Sequence, residues 1–203
     1  MQPSSNNIPK DGTKRKVILL MGMGLNGISA DGWIPPADTK AQVEEIMDDL
    51  WDILDTVDTF ILGRITFQMW ENHWPQQAGK PSTGDFLNRF SKFADEVQKL
   101  VFSTTMKSAK WQNSRVINDG IATEITRIKK LPGKNIALVG GSGIAQTFTK
   151  LNLIDDYQIY LHQVIFGSDK SVLGTLDEER QLELVENRQF AGGGLRLHYR
   201  PIR

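Results

Sequence analysis

Hydrophobic residues occur along this chain in short continuous runs that are separated by polar stretches. The clearest run, Val17 to Met21, follows charged residues, as expected for a strand buried on both faces of a parallel sheet. The segment Gly192 to Gly194 separates the last two runs and predicts a C-terminal hairpin. The further runs that predict strands cover residues 59–62, 100–102, 115–117, 136–139, 157–166, 182–190 and 195–199.

Between the early strands, hydrophobic residues recur every three or four positions. This spacing predicts an amphipathic helix over residues 40–56, with Thr39 and Gln42 at capping-box spacing. It also indicates helices over 86–97, over 121–130 and from 142 to 151, whereas Trp74 to Gly84, with its prolines and glycines, is predicted as an exposed loop. The alternation predicts a three-layer α/β fold: a mixed, mostly parallel sheet of about eight strands with an antiparallel C-terminal hairpin at its edge.

Length and composition indicate one ordinary globular domain. The chain has 203 residues, of which 39% are hydrophobic and 24% charged. We expect a disordered N-terminal lead-in over residues 1–15 and a single domain over 16–203. The longest apolar run, Val17 to Leu25, is interrupted by glycines and is too short for a membrane span, and no signal-peptide pattern follows it.

Charge and cysteine content narrow the function classes further. Basic and acidic residues number 24 each, so no strong positive field attracts nucleic acid. The sequence has no cysteine, which excludes disulfides and thiolate chemistry and fits a reducing compartment such as the cytoplasm. The three histidines lack metal-ligand spacing, so we predict no metal site.

The segment Gly140 to Gly143 links a predicted strand directly to a predicted helix. Glycines let the backbone approach a ligand closely, and a helix N-terminus presents free N–H groups and a positive dipole end to a phosphate. Ser142 could cap this helix and offer a hydroxyl. The same residues are also compatible with a tight turn that only needs positive φ angles. The glycines alone leave both interpretations open.

Two other strand ends carry small, polar or cationic residues. Gly63 to Thr66 offers the cation of Arg64 and the hydroxyl of Thr66, and Ser103 to Thr105 offers three hydroxyls. Ligands of open α/β sheets gather beyond the carboxyl ends of strands. Together with the glycine turn, these junctions predict one extended anionic ligand.

Four segments in this order carry a family resemblance that covers residues 16–203. The chain resembles the dihydrofolate reductase superfamily, and more closely the branch that contains the reductase domain of bifunctional riboflavin-biosynthesis enzymes. The segments are Gly24-Leu25-Asn26-Gly27, Leu62-Gly63-Arg64-Ile65-Thr66-Phe67, Val139-Gly140-Gly141-Ser142-Gly143-Ile144, and Leu153-Ile154-Asp155-Asp156 leading into Tyr157 to Gly167.

The resemblance implies NADPH as the cofactor and a cis peptide bond between Gly140 and Gly141. It also implies a small-molecule substrate, and a homodimer through sheet or hairpin edges is common in this branch. The cofactor-binding residues that it implies are Gly63, Arg64, Thr66, Ser103, Thr104, Gly140, Gly141, Ser142, Gly143 and Ile144.

The first loop departs from the pattern of this branch, because Asn26 stands where an acid is common. Asn26 and Trp33 are expected at the substrate pocket, and Asp38 and Asp31 are the nearest candidates for a catalytic acid. The alternative, which the position before Thr39 favours, is that Asp38 only caps or flanks the following helix. The segment from Gly167 to Leu173 is also more polar than is usual in the branch, so the substrate end of the pocket is expected to differ.

Three other residues are expected to be structural. We interpret His162 as a satisfied sheet histidine and Trp70 and Trp74 as core residues. The sequence therefore predicts an NADPH-dependent reductase that transfers hydride to a small heterocycle, either pterin-like or a pyrimidine of the riboflavin pathway. Two alternatives stay open: a non-catalytic nucleotide- or ligand-binding module on the same fold, and a structural interaction protein without a ligand.

Overall fold

The computed structural model describes residues 14–30, 40–77, 84–169 and 171–203. Within these residues, strands and helices alternate over much of the chain, and three consecutive strands follow the last helix. The strands are β1 Val17–Gly24, β2 Val57–Gly63, β3 Gln98–Phe102, β4 Ser114–Ile117, β5 Asn135–Gly140, β6 Asp156–His162, β7 Leu182–Gln189 and β8 Leu195–Pro201. The helices are α1 Lys40–Leu54, α2 Arg64–Gln77, α3 Gly84–Glu96, α4 Ile121–Ile128 and α5 Ser142–Lys150.

The strands form one eight-stranded sheet in the order β4-β3-β2-β5-β1-β6-β8-β7. The first six in this order are parallel, and β8 pairs antiparallel with both β6 and β7. The predicted α/β fold with an antiparallel C-terminal hairpin at the edge is therefore confirmed. The hydrophobic run at Val17 forms a central strand between β5 and β6, and its side chains are buried on both faces of the sheet.

Each face of the sheet carries its own hydrophobic core. On one face Ile18 and Leu20 of β1 pack with Trp51 of α1 and Phe90 of α3. On the other face the alternate residues of β1 pack with residues of α4 and α5, such as Ile125 and Phe148. The sheet is thus the middle of three layers, with α1, α2 and α3 on one face and α4 and α5 on the other.

The predicted loop from Trp74 to Gly84 is wrong over its first part, because α2 continues to Gln77 with Pro75 inside the helix. The ring centroid of Trp74 lies 4.7 Å from that of Phe90 on α3, and the ring centroid of Trp70 lies 5.7 Å from it. This aromatic packing outweighs the local preference of proline against helix. Trp70 and Trp74 pack against the core, which confirms their structural interpretation.

Two other boundaries differ from the sequence-based prediction. Strand β6 ends at His162 rather than near Phe166, because the chain bends there: the Val164 N–H donates to the His162 carbonyl (2.8 Å), and the Val164 carbonyl accepts from Leu25 N–H (2.8 Å). At the other end, Arg15 is buried and donates to Asp58 and to Thr59. Residues 1–13 of the predicted lead-in and the capping residue Thr39 lie outside the described residues.

Candidate functional site

The carboxyl ends of four parallel strands lie side by side at one edge of the sheet. Phe102 of β3 is in register with Ile117 of β4 and with Gly63 of β2, and Leu62 of β2 is in register with Gly140 of β5. Junctions that are far apart in sequence are therefore adjacent in space. One extended ligand can therefore contact all of these junctions, as the sequence predicts.

A groove of about 460 Å³ follows this row of strand ends. Of the ten predicted cofactor residues, all but Gly140 and Ser142 line it, and those two belong to the turn at its side. The lining residues are Gly63, Arg64, Ile65, Thr66, Phe102, Ser103, Thr104, Thr105, Ile117, Asn118, Ile121, Gly141, Gly143, Ile144 and Thr147.

The double-glycine turn connects β5 to α5 through an unusual backbone conformation. Gly141 has φ 79° and ψ 131°, a region that residues with a side chain rarely adopt. No side chain caps α5, so the predicted cap by Ser142 is wrong, and the first N–H groups of the helix are left for another acceptor. The predicted cis bond between Gly140 and Gly141 is also wrong: the described peptide bonds are all trans. The positive φ of Gly141 makes the turn instead.

Gly140 is required by the close approach of Thr66. A β-carbon built on Gly140 would lie 2.6 Å from Cγ2 of Thr66, and one on Gly141 would lie 3.2 Å from its Oγ1. The first turn of α2, which begins at Arg64, thus packs directly on the turn before α5. Two helix N-termini with their positive dipole ends are therefore directed at the same groove.

The loop after β3 has an internal scaffold that the sequence did not reveal. Ser103 Oγ accepts hydrogen bonds from the N–H groups of Met106 (3.0 Å) and Thr105 (3.3 Å). The Asn118 amide donates to the carbonyls of Ser103 (2.7 Å) and Met106 (2.8 Å). The Ser103 hydroxyl therefore holds its own loop, and Thr104 and Thr105 are exposed at its tip. The available signal for Asn118 was its position directly after β4, where asparagine often makes local turns.

Asn26 lies outside the groove and closes a different contact. Its amide nitrogen donates to the carbonyl of Phe166 (2.9 Å), and its amide oxygen accepts from the N–H of the same residue (3.3 Å). A carboxylate cannot donate, so only the amide makes both bonds. Gly24 is fixed by the same contact, because a β-carbon there would lie 2.5 Å from the Val164 carbonyl. The departure from the branch pattern at Asn26 thus has a structural reason.

The polar segment that follows β6 is attached to the same loop. Val172 N–H donates to the carbonyl of Gly27 (3.0 Å), and Ile28 forms an isolated bridge with Ser171. The two departures noted in the sequence are therefore in contact with each other at the β1 and β6 side of the site.

Three further predicted residues belong to the segment 31–39. Asp31, Trp33 and Asp38, proposed for catalysis and for the substrate pocket, lie outside the described residues. Within the described ranges, no group of three or more histidine, aspartate or glutamate residues could hold a metal ion, and no helix is long and apolar enough to cross a membrane.

The sequence is similar to a known protein family and to known proteins. The family model of the RibD C-terminal domain matches residues 15–195. Two proteins of Bacillus subtilis strain 168, both known only as uncharacterized, are relatives. YyaP is 32% identical over 148 residues, which are 73% of this chain and 76% of YyaP. YwjB is 29% identical over 189 residues, which are 92% of this chain and 98% of YwjB.

Solved structures agree at the level of fold. A diaminohydroxyphosphoribosylaminopyrimidine deaminase/5-amino-6-(5-phosphoribosylamino)uracil reductase of Thermotoga maritima superposes with a TM-score of 0.58 at 14% identity, over 93% of this chain and 57% of that one. Dihydrofolate reductase from Enterococcus faecalis, solved with NADP(H) and RAB-propyl, superposes with a TM-score of 0.56 at 12% identity, over 93% and 97% of the two chains. Because the family model spans nearly all of the sequence, the chain belongs to the RibD C-terminal domain family.

Proposed function

We propose that this protein is an NADPH-dependent reductase that transfers hydride to a small heterocycle, either pterin-like or a pyrimidine of the riboflavin pathway. The observation that carries the proposal is the groove at the carboxyl ends of β2, β3, β4 and β5. It combines two helix N-termini, one guanidinium group and a loop of hydroxyl groups. This combination suits a ligand that carries several phosphates.

Different residues of the groove would bind different phosphate groups of such a ligand. The uncapped N–H groups at the start of α5 would bind the pyrophosphate, because no side chain competes for them. Arg64 is exposed at the start of α2. Its guanidinium donates a hydrogen bond to Gln68 Oε1 on the next turn (3.0 Å). With the hydroxyl of Thr104, it would bind a ribose phosphate, the group that distinguishes NADPH from NADH.

The comparisons support the cofactor and the reaction class. The Enterococcus faecalis enzyme with this fold was solved with NADP(H), and the name of the Thermotoga maritima protein includes a uracil reductase. NADPH supplies hydride when it is bound. The chain's own contribution would be to hold the phosphates in the groove and so to direct the reactive ring toward β1 and β6.

Hydride transfer also needs an acid that protonates the substrate. Asp38 and Asp31 remain candidates, and Trp33 remains a candidate for the pocket wall. Asn26 is unsuited as an acid, because it is an amide and both of its polar atoms bond to Phe166. That same observation favours a second function, a binding module that holds NADPH without turnover.

The proposal is tested by binding and turnover together. NADPH should bind and raise the melting temperature, whereas NADH should bind more weakly. We expect Arg64→Ala to weaken NADPH binding about tenfold and to leave NADH binding almost unchanged, since only one phosphate contact is lost. The matched control is Arg89→Ala, which removes an exposed arginine that pairs with Asp55 (2.9 Å).

Turnover separates the enzyme from the binder. We expect NADPH absorbance to decrease with dihydrofolate or with 5-amino-6-(5-phosphoribosylamino)uracil as the acceptor. Tight NADPH binding without oxidation by either compound would support the binding module. Failure of NADPH to raise the melting temperature at saturation would contradict both and support a protein without this ligand.

A cytoplasmic location and a homodimer complete the proposal. The absence of cysteine in the sequence supports a reducing compartment. Sedimentation equilibrium tests the dimer, with a molecular mass of twice 22.8 kDa expected.

A further inference from the structure

We infer that His162 contacts the substrate and supplies the proton that accompanies hydride transfer. The inference rests on the proposed reductase function and deepens it, because it assigns the acid to a described residue, whereas Asp31 and Asp38 lie outside the described residues. The sequence alone predicts His162 to be a structural histidine of the sheet.

His162 lies at the carboxyl end of β6, in the same row of parallel strand ends as the cofactor groove. The order of strands is β5, β1, β6, and His162 is the last residue of β6, in register with Gly24 of β1. Neighbouring strands are about 4.8 Å apart, so β6 lies about 10 Å from β5 along the row of strand ends. A dinucleotide whose phosphates lie at β5 can reach this far with its reactive end.

The side chain of His162 belongs to the face of the sheet that α1 covers. Side chains alternate along a strand, so His162 shares a face with Tyr160, two residues earlier. The Tyr160 hydroxyl donates to Asp49 of α1 (2.7 Å), which identifies that face. His162 is further toward the carboxyl end of the strand and hence toward the first turns of α1, which runs antiparallel to β6.

A missing side chain on β1 makes room for the imidazole ring. A β-carbon built on Gly22 would lie 3.0 Å from Nε2 of His162 and 3.3 Å from the β-carbon of Ala30. The ring therefore leans over the backbone of the central strand, half-buried, beside the residue that precedes Asp31. In the proposed complex, a flat heterocycle lies beside this ring at the carboxyl ends of β1 and β6.

Two acidic side chains of α1 have other partners. On α1, Asp49 accepts from Arg188 (2.8 Å) and Arg196 (3.1 Å) as well as from Tyr160, and Glu45 accepts from the N–H of Ala191 (2.8 Å). On β1 and the following loop, Gly22 and Ala30 carry no charge. Among these described neighbours, the imidazole of His162 is the proposed proton donor.

Burial lowers the pKa of His162 below its usual value of 6.5, because the half-buried ring favours the neutral form. In the proposed step, hydride passes from bound NADPH to the carbon of a substrate C=N bond, and the π electrons of that bond move to nitrogen. The nitrogen takes a proton from the imidazolium of His162. The products are NADP⁺, the reduced substrate and neutral His162, which water reprotonates.

The closing experiment compares the wild type with His162→Asn and His162→Gln, and uses His73→Asn, an exposed histidine of α2, as the control. Titration with NADPH comes first, and both His162 variants should bind it within about twofold of wild type. With dihydrofolate or 5-amino-6-(5-phosphoribosylamino)uracil as the acceptor, we expect kcat to fall about 10²–10⁴-fold in both variants and to be unchanged in the control.

The pH profile gives a readout that a structural role would not change. Because the protonated ring is the donor, kcat/KM of the wild type should fall as pH rises through a pKa below 6.5, and this limb should be absent from both variants. Variants that bind NADPH, keep the wild-type kcat and keep the limb would overturn the inference.

A binding measurement keeps the two proposals distinguishable if the wild type shows no turnover. That result would count against the proposed reductase function with these acceptors. The ring resonances of His162, assigned by their loss in His162→Asn, should still shift when dihydrofolate is added to the complex with NADP⁺. Unchanged resonances at saturating dihydrofolate would overturn the assignment of His162 to the substrate.

Discussion

Thr66 occupies the space that a side chain at position 140 would need. The distance from Thr66 Cγ2 to a β-carbon built on Gly140 is 2.6 Å, and the distance from its Cβ is 2.9 Å. The contact joins the start of α2 to the end of β5, and so it sets the relative position of the two helix N-termini at the groove. Glycine is thus required at position 140 by packing rather than by its own backbone angles, since its φ is not positive.

Gly140→Ala should therefore reduce both stability and NADPH binding. The added methyl group must displace Thr66, and overpacking of this kind costs about 1–3 kcal/mol of the free energy of unfolding. Urea denaturation measures the loss, and Gly63→Ala is the control, because a β-carbon there would lie 3.5 Å from Ile144 in ordinary contact. The double variant Gly140→Ala with Thr66→Ser should recover part of the stability, and no recovery would argue against the contact with Cγ2.

Asn26→Asp, which restores the acid of the branch pattern, should destabilise the protein near neutral pH. The carboxylate cannot donate to the Phe166 carbonyl, and the lost hydrogen bond costs about 1 kcal/mol. Protonation near pH 4 returns a donor, so the difference from wild type should shrink there. Denaturation at both pH values measures this. Asn187→Asp on the exposed strand β7 should show no comparable loss; equal losses would contradict the role of the amide.

Lys99 should make stability rise with pH in the alkaline range. Its ammonium is buried at the C-terminal end of α3, where it donates to the carbonyls of Ala94 (2.6 Å) and Val97 (2.9 Å). Burial lowers the pKa of Lys99 to about 8. The unfolded chain, with a lysine pKa of 10.5, binds the proton more tightly than the folded chain. The free energy of unfolding therefore gains a contribution as pH rises from about 8 to 10.5.

The check on Lys99 is the difference between wild type and Lys99→Met across pH. Methionine does not titrate, so the wild type should become more stable relative to the variant over this range, and the difference should be constant below it. A stability difference that does not change between pH 7 and 11 would show that the pKa of Lys99 is not lowered. The reason is that this range includes both the folded pKa of about 8 and the unfolded value of 10.5.

Asp49 should be far more important for stability than Glu186, although both pair with Arg196. The Asp49 side chain is 2% exposed and that of Glu186 is 53% exposed. Asp49→Asn leaves the buried guanidinium of Arg196 without its buried counter-charge, which should cost about 3 kcal/mol. Glu186→Gln removes a surface pair and should cost less than about 1 kcal/mol. Guanidinium titration ranks the two variants, and equal losses would contradict the buried network.

Local patterns were sufficient to predict most elements and much of the candidate site. Hydrophobic runs and helical spacing depend on neighbours in sequence, so the strands at Val17 and Asn135 and the helix at Ser142 were predictable within a few residues. The glycine turn and the Arg64 junction were recognisable for the same reason, because each is a short strand-to-helix connection. The C-terminal hairpin followed from its glycines.

The sequence by itself thus determined the layers, the elements and the chemistry available at each strand end. The order of strands, a product of long-range packing, decided the rest. It placed β2, β3, β4 and β5 side by side, joined Asn118 to the Ser103 loop, extended α2 against Phe90, and brought His162 beside Gly22. These contacts join residues distant in the chain, where no local pattern of hydrophobic and polar positions carries information.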